Sequence, residues 1–471
     1  MRGLLAGILL PILGCSVGPD YQAPKPLVPA QWMEGWNYGI YAQPVDLARW
    51  WTEFNDPLLN SLIKRAAESN LDLAVAEARV CEARALLGVT TAEAWPTVNV
   101  SDSYSRIRTS ENAFAAGRAA PQGGGNLEQN LFRTGFDSSW EIDVFGGARR
   151  RVEAADAILD ASVEDRRSVL VTLLGDVAKN YIDLRGLQRR LAVSQDNLRA
   201  QQETLRLMKV RFEVGLSSDF EVVQAEGQAL TSAAQIPALA SALKQTVYRL
   251  DLLLGAQPGL LWDELAQDTP IPAIPPEAHV GMPAELLRRR PDIRRAERQL
   301  AAATAQVGAA TADLYPKFSL TGAFGLQSIS ASDWFTGKSR FWSIGPTISW
   351  PMFDAGKIRA NIEVRNAQQE QALWLYEKSV LTALQEVESA LVNYAYEQTR
   401  YRSLLEASAV NRRAVRLAND LYGQGLVAFL NVLDAERTFY TSEIELAQSE
   451  ANMAVNLVAL YKALGGGWET Q

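Results

Sequence analysis

The sequence predicts a mainly helical chain carrying a short β module, built as two tandem copies of one unit. Three observations predict it. Landmarks recur at fixed offsets, two long proline-free stretches carry apolar residues at the coiled-coil period, and four short segments alternate apolar with polar residues.

The repeat comes first. Asn70-Leu71-Asp72-Leu73-Ala74-Val75-Ala76-Glu77-Ala78-Arg79 is echoed by Arg290-Pro291-Asp292-Ile293-Arg294-Arg295-Ala296-Glu297-Arg298. Gly88 matches Gly308 and Trp95-Pro96 matches Tyr315-Pro316, all at a spacing of 220 residues. Ser139-Trp140 matches Ser349-Trp350, Phe212-Glu213-Val214-Gly215-Leu216 matches Tyr422-Gly423-Gln424-Gly425-Leu426, and Ala225-Glu226 matches Ala435-Glu436, at a spacing of 210. The first copy therefore carries about ten extra residues, and the Gly- and Ala-rich stretch from Gly117 to Gln129 has the composition of a loop.

Each copy reads as helix, strand, loop, strand, very long helix, break, helix. In the first copy Val98 and Val100, then Phe136, Trp140, Ile142 and Val144, alternate with polar residues. The second copy offers Phe318, Leu320, Phe324 and Leu326, then Trp342, Ile344, Ile348 and Trp350. Period two gives one apolar and one polar face, and about ten residues is the length of a tilted membrane strand. Four strands cannot close a barrel with an open lumen, so other chains must contribute.

The long helices follow from two spans without proline, Gln122 to Ile236 and Met352 to Gln471. Leu170, Leu173, Val177, Tyr181, Leu184, Leu187, Leu191, Leu198, Leu205, Met208 and Phe212 fall at steps of three, four or seven. Val380, Leu384, Val387, Leu391, Tyr394, Tyr401, Leu405, Val415 and Tyr422 follow in the second copy at the same steps, apart from one of ten before Val415. That spacing is the coiled-coil period. A helix of roughly 60 residues reaches about 90 Å. Each ends at a glycine, Gly215 or Gly425, which supplies a left-handed cap before a second helix begins. Each pair is a helical hairpin with its tip at that glycine, and the strands lie at the opposite end.

Composition narrows the function. The chain has 471 residues, about half apolar and a fifth charged, with net charge −8 and no basic run to bind nucleic acid. Beyond the N-terminus no stretch approaches the 20 or so apolar residues of a spanning helix, so a membrane passage would have to be a barrel. The chain has two cysteines and one histidine. His279 sits among Pro270, Pro272, Pro275, Pro276 and Pro283 and reads as an exposed loop residue. No metal cluster and no histidine-based catalytic site can be assembled from this inventory, so no enzyme and no cofactor are expected. Cys81, in a helix among Ala and Val, reads as a buried, inert thiol.

Arg2 precedes an apolar run from Gly3 to Leu13 that is too short to span a membrane, and the run ends in Ile12-Leu13-Gly14-Cys15. This resembles the bacterial lipobox. The resemblance implies removal of a signal peptide at residues 1–14 and a diacylglycerol thioether with an N-acyl chain on Cys15, enough for stable anchoring. Ser16 stands where Asp would mark inner-membrane retention, which implies the outer membrane.

Further motifs span the mature chain. They are Val17-Gly18-Pro19-Asp20-Tyr21, Trp50-Trp51-Thr52-Glu53-Phe54-Asn55-Asp56-Pro57, the run from Glu285 to Ile293, the run from Ala303 to Pro316, and Ala463-Leu464-Gly465-Gly466-Gly467-Trp468. In this ordered set the chain resembles the TolC-type outer-membrane factors, in their OprM-like (NodT-type) lipoprotein branch. The resemblance implies a homotrimer. Its three chains give four strands each to one 12-stranded β-barrel, continued by a long α-helical barrel through the periplasm. It also implies a gated passive exit duct in a tripartite efflux system, fed by an inner-membrane pump and a periplasmic adaptor. The segments then divide as 15–60, lipidated segment and equatorial region; 61–254, first repeat; 255–283, linker in the same equatorial belt; 284–464, second repeat; and 465–471, tail. A coiled-coil surface stalk or adhesin without transport is the competing reading; strand pairs between the long helices favour the duct.

Two sites carry over from the family. Its periplasmic gate is a ring of Asp beside a Leu one turn earlier, which here falls on Asp434 and Leu430, with Asn431 and Arg437 alongside. Arg437 is placed to pair with a carboxylate of a neighbouring helix. The first copy has Gln224 where the second has Asp434, so the constriction is assigned to the second hairpin, with Glu221 and Asp219 of the first as further candidates. Adaptor contact is expected at the tips, at Arg211, Phe212, Gly215, Leu216, Ser217, Tyr422, Gly425 and Leu426.

Overall fold

The structure, a computed structural model, describes residues 16–33, 40–41, 47–108, 110, 128–267, 269–274 and 278–469. Cys15, the expected signal segment and positions 117–127 of the expected loop lie outside the described residues. In chain order the elements are β1 (Ile40–Tyr41), α1 (Pro57–Ser69), α2 (Leu71–Ala92), β2 (Thr97–Arg108), β3 (Glu128–Ile142), α3 (Gly147–Glu213), α4 (Asp219–Leu253), α5 (Trp262–Leu265), β4 (Ala278–His279), α6 (Leu286–Arg289), α7 (Pro291–Ala312), β5 (Lys317–Ser328), β6 (Arg340–Ser349), α8 (Lys357–Gly423) and α9 (Phe429–Ala463). α3 and α8 have 67 residues each, and α4 and α9 have 35 each. The long helices thus outrun the expected 60 or so residues, because helical backbone continues on both sides of the apolar heptads. No helix among the described residues is long and apolar enough to cross a membrane.

The chain forms two compact units. One comprises residues 1–24, 81–161 and 297–375; the other comprises 25–80, 162–296 and 376–471.

The first unit holds the sheet, in the order β2-β3-β5-β6 and antiparallel throughout. Residues opposite one another share a face. Val100 opposes Phe136, Phe136 opposes Phe324, and Phe324 opposes Trp342. Below that row, Trp140 opposes Leu320 and Phe318 opposes Ile348. The alternating apolar residues therefore lie on one face. The other face carries Asn99, Asp137, Ser319 and Thr347. The N-terminal segment is bound to the same unit. Val17 N–H donates to the Phe145 carbonyl at 3.1 Å, and Asp20 accepts from Arg150 at 2.6 Å. Gly18 has φ +87°, and a Cβ there would lie 2.5 Å from the Gly308 Cα, so two glycines are needed for the segment to cross α7.

One expectation fails in α2. Its buried stripe is Leu73, Ala76, Val80 and Ala83, at helical spacing. Cys81 follows Val80 by one residue, about 100° around the helix, and its thiol is exposed rather than buried.

The second unit contains the main core. Leu170, Leu174, Val177, Tyr181 and Leu184 of α3 pack with Val380, Val387, Leu391 and Tyr394 of α8 and with Leu457 and Tyr461 of α9. The motif residues lock this core. Trp50 is buried with its ring 5.5 Å from that of Tyr461. Asp56 caps α1 and also accepts from the Tyr181 hydroxyl at 2.7 Å. Arg290 donates to the Ala463 carbonyl at 2.9 Å, and Trp468 donates to the Arg289 carbonyl at 2.9 Å. Arg167 stacks on the Trp468 ring at 4.6 Å, with Arg294 at 5.2 Å. The sequence runs around Arg290 and Trp468 are therefore two halves of one junction.

Candidate functional site

The hairpin tips are built by backbone chemistry that the glycines permit. Gly215 N–H donates to the Phe212 carbonyl at 2.9 Å and Leu216 N–H to the Arg211 carbonyl at 2.8 Å, with φ +76° at Gly215. Gly425 and Leu426 bond to the Tyr422 and Leu421 carbonyls, both at 3.0 Å, with φ +71° at Gly425. This paired bonding is a Schellman cap, which satisfies the last carbonyls of each long helix.

The returning helices begin differently. The Ser218 hydroxyl accepts from Glu221 N–H at 3.3 Å, and the Glu221 carboxylate accepts from Ser218 N–H at 3.0 Å. This reciprocal capping box occupies Glu221, one of the gate candidates, in holding the start of α4. The Ser-x-x-Glu signal stands in the sequence but is absent from the second copy, where Ala428 offers no side-chain cap. There Phe429 closes the turn by burial instead, packed with Met208, Val222, Ala225 and Val432. The Tyr422 ring lies 5.4 Å from that of Phe429, and Arg211 sits over it at 4.9 Å. Burial pushes the Tyr422 hydroxyl up, with the Glu221 charge adding to it and Arg211 opposing.

The expected contact residues thus divide. Arg211 and Tyr422 belong half-buried to the small tip core, and Ser217 is half-buried beside the cap. Phe212, Leu216 and Leu426 are exposed, together with Val214 and Phe220.

The gate candidates Leu430, Asp434 and Arg437 lie on one face of α9, and all are exposed, as is Asn431. Arg437 pairs with Asp434 in its own helix at 2.7 Å, not with a carboxylate of a neighbouring helix. Three residues is one helical turn, and that short reach decides the pairing in the chain. Asp219 lies in the first turn of α4, where a carboxylate suits the helix N-terminus.

Two features of this region were not anticipated. Glu436 is 6 % exposed, and among the described residues one of its carboxylate oxygens has no partner. Burial pushes its pKa up to about 7, against a hydrogen bond from Thr204. On α3, which supplies Thr204, the side chains of Ser194, Asn197 and Gln201 are also buried, polar positions between Leu191 and Leu205. Both amide atoms of the Gln201 side chain lack partners. The apolar heptad continues through this stretch at Leu198, with the polar residues beside it plain in the sequence.

In the other unit, the apolar sheet face is open. Val98, Val100, Phe136, Phe324, Ile344 and Ile348 are exposed, and Trp342 is 75 % exposed. Tryptophans tie the near end of the sheet to the preceding turns. Trp140 donates to the Ala94 carbonyl and Trp350 to the Leu314 carbonyl, each at 3.0 Å. At the far end the rings of Tyr104, Phe132, Trp334 and Phe335 follow one another at 4.9, 5.2 and 4.8 Å. An apolar band between aromatic ends is the surface a membrane strand presents to lipid.

Known proteins resemble this chain over its whole length. The family model described as "Outer membrane efflux protein" matches residues 62–256 and 282–466. Nodulation protein T of Rhizobium leguminosarum bv. trifolii is 32% identical over 461 residues, covering 97% of this chain and 95% of its own. The solvent efflux pump outer membrane protein SrpC of Pseudomonas putida is 34% identical over 469 residues, covering 98% and 97%. Among solved structures, the outer-membrane channel OprN superposes with a TM-score of 0.89 at 36% identity, covering 96% of this chain and all of that one.

Proposed function

The chain belongs to the outer membrane efflux protein family, and from that premise we propose that it is the outer-membrane exit duct of a tripartite efflux system, working as a homotrimer. Its place is the outer membrane. The observation that carries the trimer is the open sheet. Its outer strands β2 and β6 have 12 and 10 residues, each with one edge unpaired among the described residues, beside an exposed face of Val, Ile, Phe and Trp. Such edges do not persist in lipid, where every backbone polar group needs a partner. Three copies supply twelve strands and remove the edges. The polar face, with Asn99, Asp137, Ser319 and Thr347, then lines a water-filled lumen.

The long hairpins continue the duct into the periplasm. Their tips, with exposed Phe212, Leu216 and Leu426 on rigid Schellman caps, meet a periplasmic adaptor coupled to an inner-membrane pump. Energy comes from the pump; this chain only opens and closes. The constriction lies at Asp434 and Leu430 of the second hairpin, with Arg437 alongside. Acyl chains on Cys15 anchor each subunit.

Planar-bilayer recording of the purified protein tests the reading. Discrete channel currents from a covalently cross-linkable trimer are expected. A monomer that binds membranes without conducting would return the surface-stalk reading.

A further inference from the structure

The two β-hairpins are copies in register as well as in sequence. Asn99 opposes Asp137 in the first, and Ser319 opposes Thr347 in the second. The first members of these pairs are 220 residues apart and the second members 210, the offsets that relate landmarks outside the sheet. The same holds for Val100 with Phe136 and for Leu320 with Pro346. The hairpins meet at the junction of β3 with β5. There Phe132 opposes Ser328, Arg133 opposes Gln327, Asp137 opposes Ala323 and Ser138 opposes Gly322. In a ring, β6 must meet a β2 as β3 meets β5, and the offsets carry each junction pair to its counterpart.

We propose that β6 pairs with the β2 of a second copy of this chain in one register: Trp342 opposite Arg108, Ser343 opposite Ile107, Thr347 opposite Ser103 and Ile348 opposite Asp102. The inference rests on the trimeric barrel and adds the register of its seams. Three further observations fit it. The register is even, so Trp342, Ile344 and Ile348 share a face with Val98, Val100 and Tyr104 of the neighbour, whereas a shift by one residue would turn every side chain over. Residues 342–349 of β6 lie opposite residues 101–108, so most of each edge is covered. The exposed Trp342 ring also meets a guanidinium. Arg106 is held by Glu128 at 2.7 Å, while Arg108 reaches the same carboxylate only at 3.9 Å and has its charge to share with an indole.

Cysteine cross-linking of the full-length, membrane-inserted protein tests the register. The background is Cys81→Ser, which removes the exposed thiol, and single-cysteine controls report any linkage through Cys15. Thr347→Cys with Ser103→Cys is compared with Thr347→Cys plus Ser101→Cys and with Thr347→Cys plus Ser105→Cys, at matched yields of inserted protein. Oxidation is expected to give covalent trimers from the first pair at least tenfold faster than from either shifted pair. If a shifted pair links faster, the register is wrong and the trimer stands. If none of the three pairs gives covalent oligomers, β6 does not meet β2 and the barrel reading falls with the register. Should Thr347→Cys prevent insertion, Ser343→Cys with Ile107→Cys, against Ser343→Cys with Ser105→Cys, makes the same comparison.

Discussion

Replacing Glu436 by Gln should tighten the hairpin tips at neutral and alkaline pH and leave them unchanged in acid. Glu436 is almost fully buried, and burial pushes its pKa up to about 7 from an ordinary 4.5. The closed tip therefore holds the proton more firmly than an opened one. Its stability is greatest below pH ~4.5, declines as the pH rises toward about 7, and is level above that. At ~1.36 kcal/mol per pH unit the full difference is about 3–4 kcal/mol, or roughly 300-fold in an opening equilibrium. Glutamine keeps a neutral side chain at the site and loses the pH dependence. Hydrogen exchange across residues 201–208 and 429–440, corrected for intrinsic rates, measures it. In the parent, protection should fall between pH 5 and 7. In Glu436→Gln it should stay level and exceed the parent tens of times over at pH 8. Parent protection that rises with pH, or a Gln variant with the parent's pH profile, would refute the reasoning.

Asp434→Ala together with Arg437→Ala should raise single-channel conductance and lower cation preference, since an acidic ring attracts cations; unchanged currents would move the constriction elsewhere. The exposed ion pair contributes little to folding, so trimer yield should hold. Gly215→Trp and Gly425→Trp place a side chain at φ +76° and +71°, which costs about 1–2 kcal/mol locally. Both should abolish efflux in cells while leaving inserted trimer intact, and normal efflux would remove the tips as the docking site. Cys15→Ser should remove the acyl mass from the mature chain and weaken membrane attachment before assembly, which intact-mass analysis and membrane fractionation check.

Where the sequence was legible, one physical rule dominated. The strands could be read because the sheet has one apolar and one polar face, which forces period two on Val98, Val100, Phe324 and Trp342. The tips could be read because positive φ selects glycine at residues 215 and 425. What escaped depends on which neighbour a helix face meets. Glu226 and Glu436 occupy matching positions of the repeat, yet Glu226 is exposed and Glu436 buried, where it meets Thr204 of α3. Cys81 was misplaced for the same reason, being adjacent to a buried stripe rather than on it. The Ser218 capping box is legible in the sequence, since its spacing is fixed by one helical turn.

The crossing of Gly18 over Gly308 has a bearing on assembly. Ser16 rests against Gly146, just beyond the end of β3, and Val17 is bonded to Phe145. Cys15 is one residue away, and consecutive Cα atoms are about 3.8 Å apart. The acyl chains proposed for Cys15 would thus be attached one residue from a segment that is bonded just beyond the end of β3. On the proposed lipidation, a subunit delivered to the bilayer by its lipid would bring its strand edges with it. Its search for two partners is then confined to a plane, where tethering raises the effective concentration of the edges that must meet.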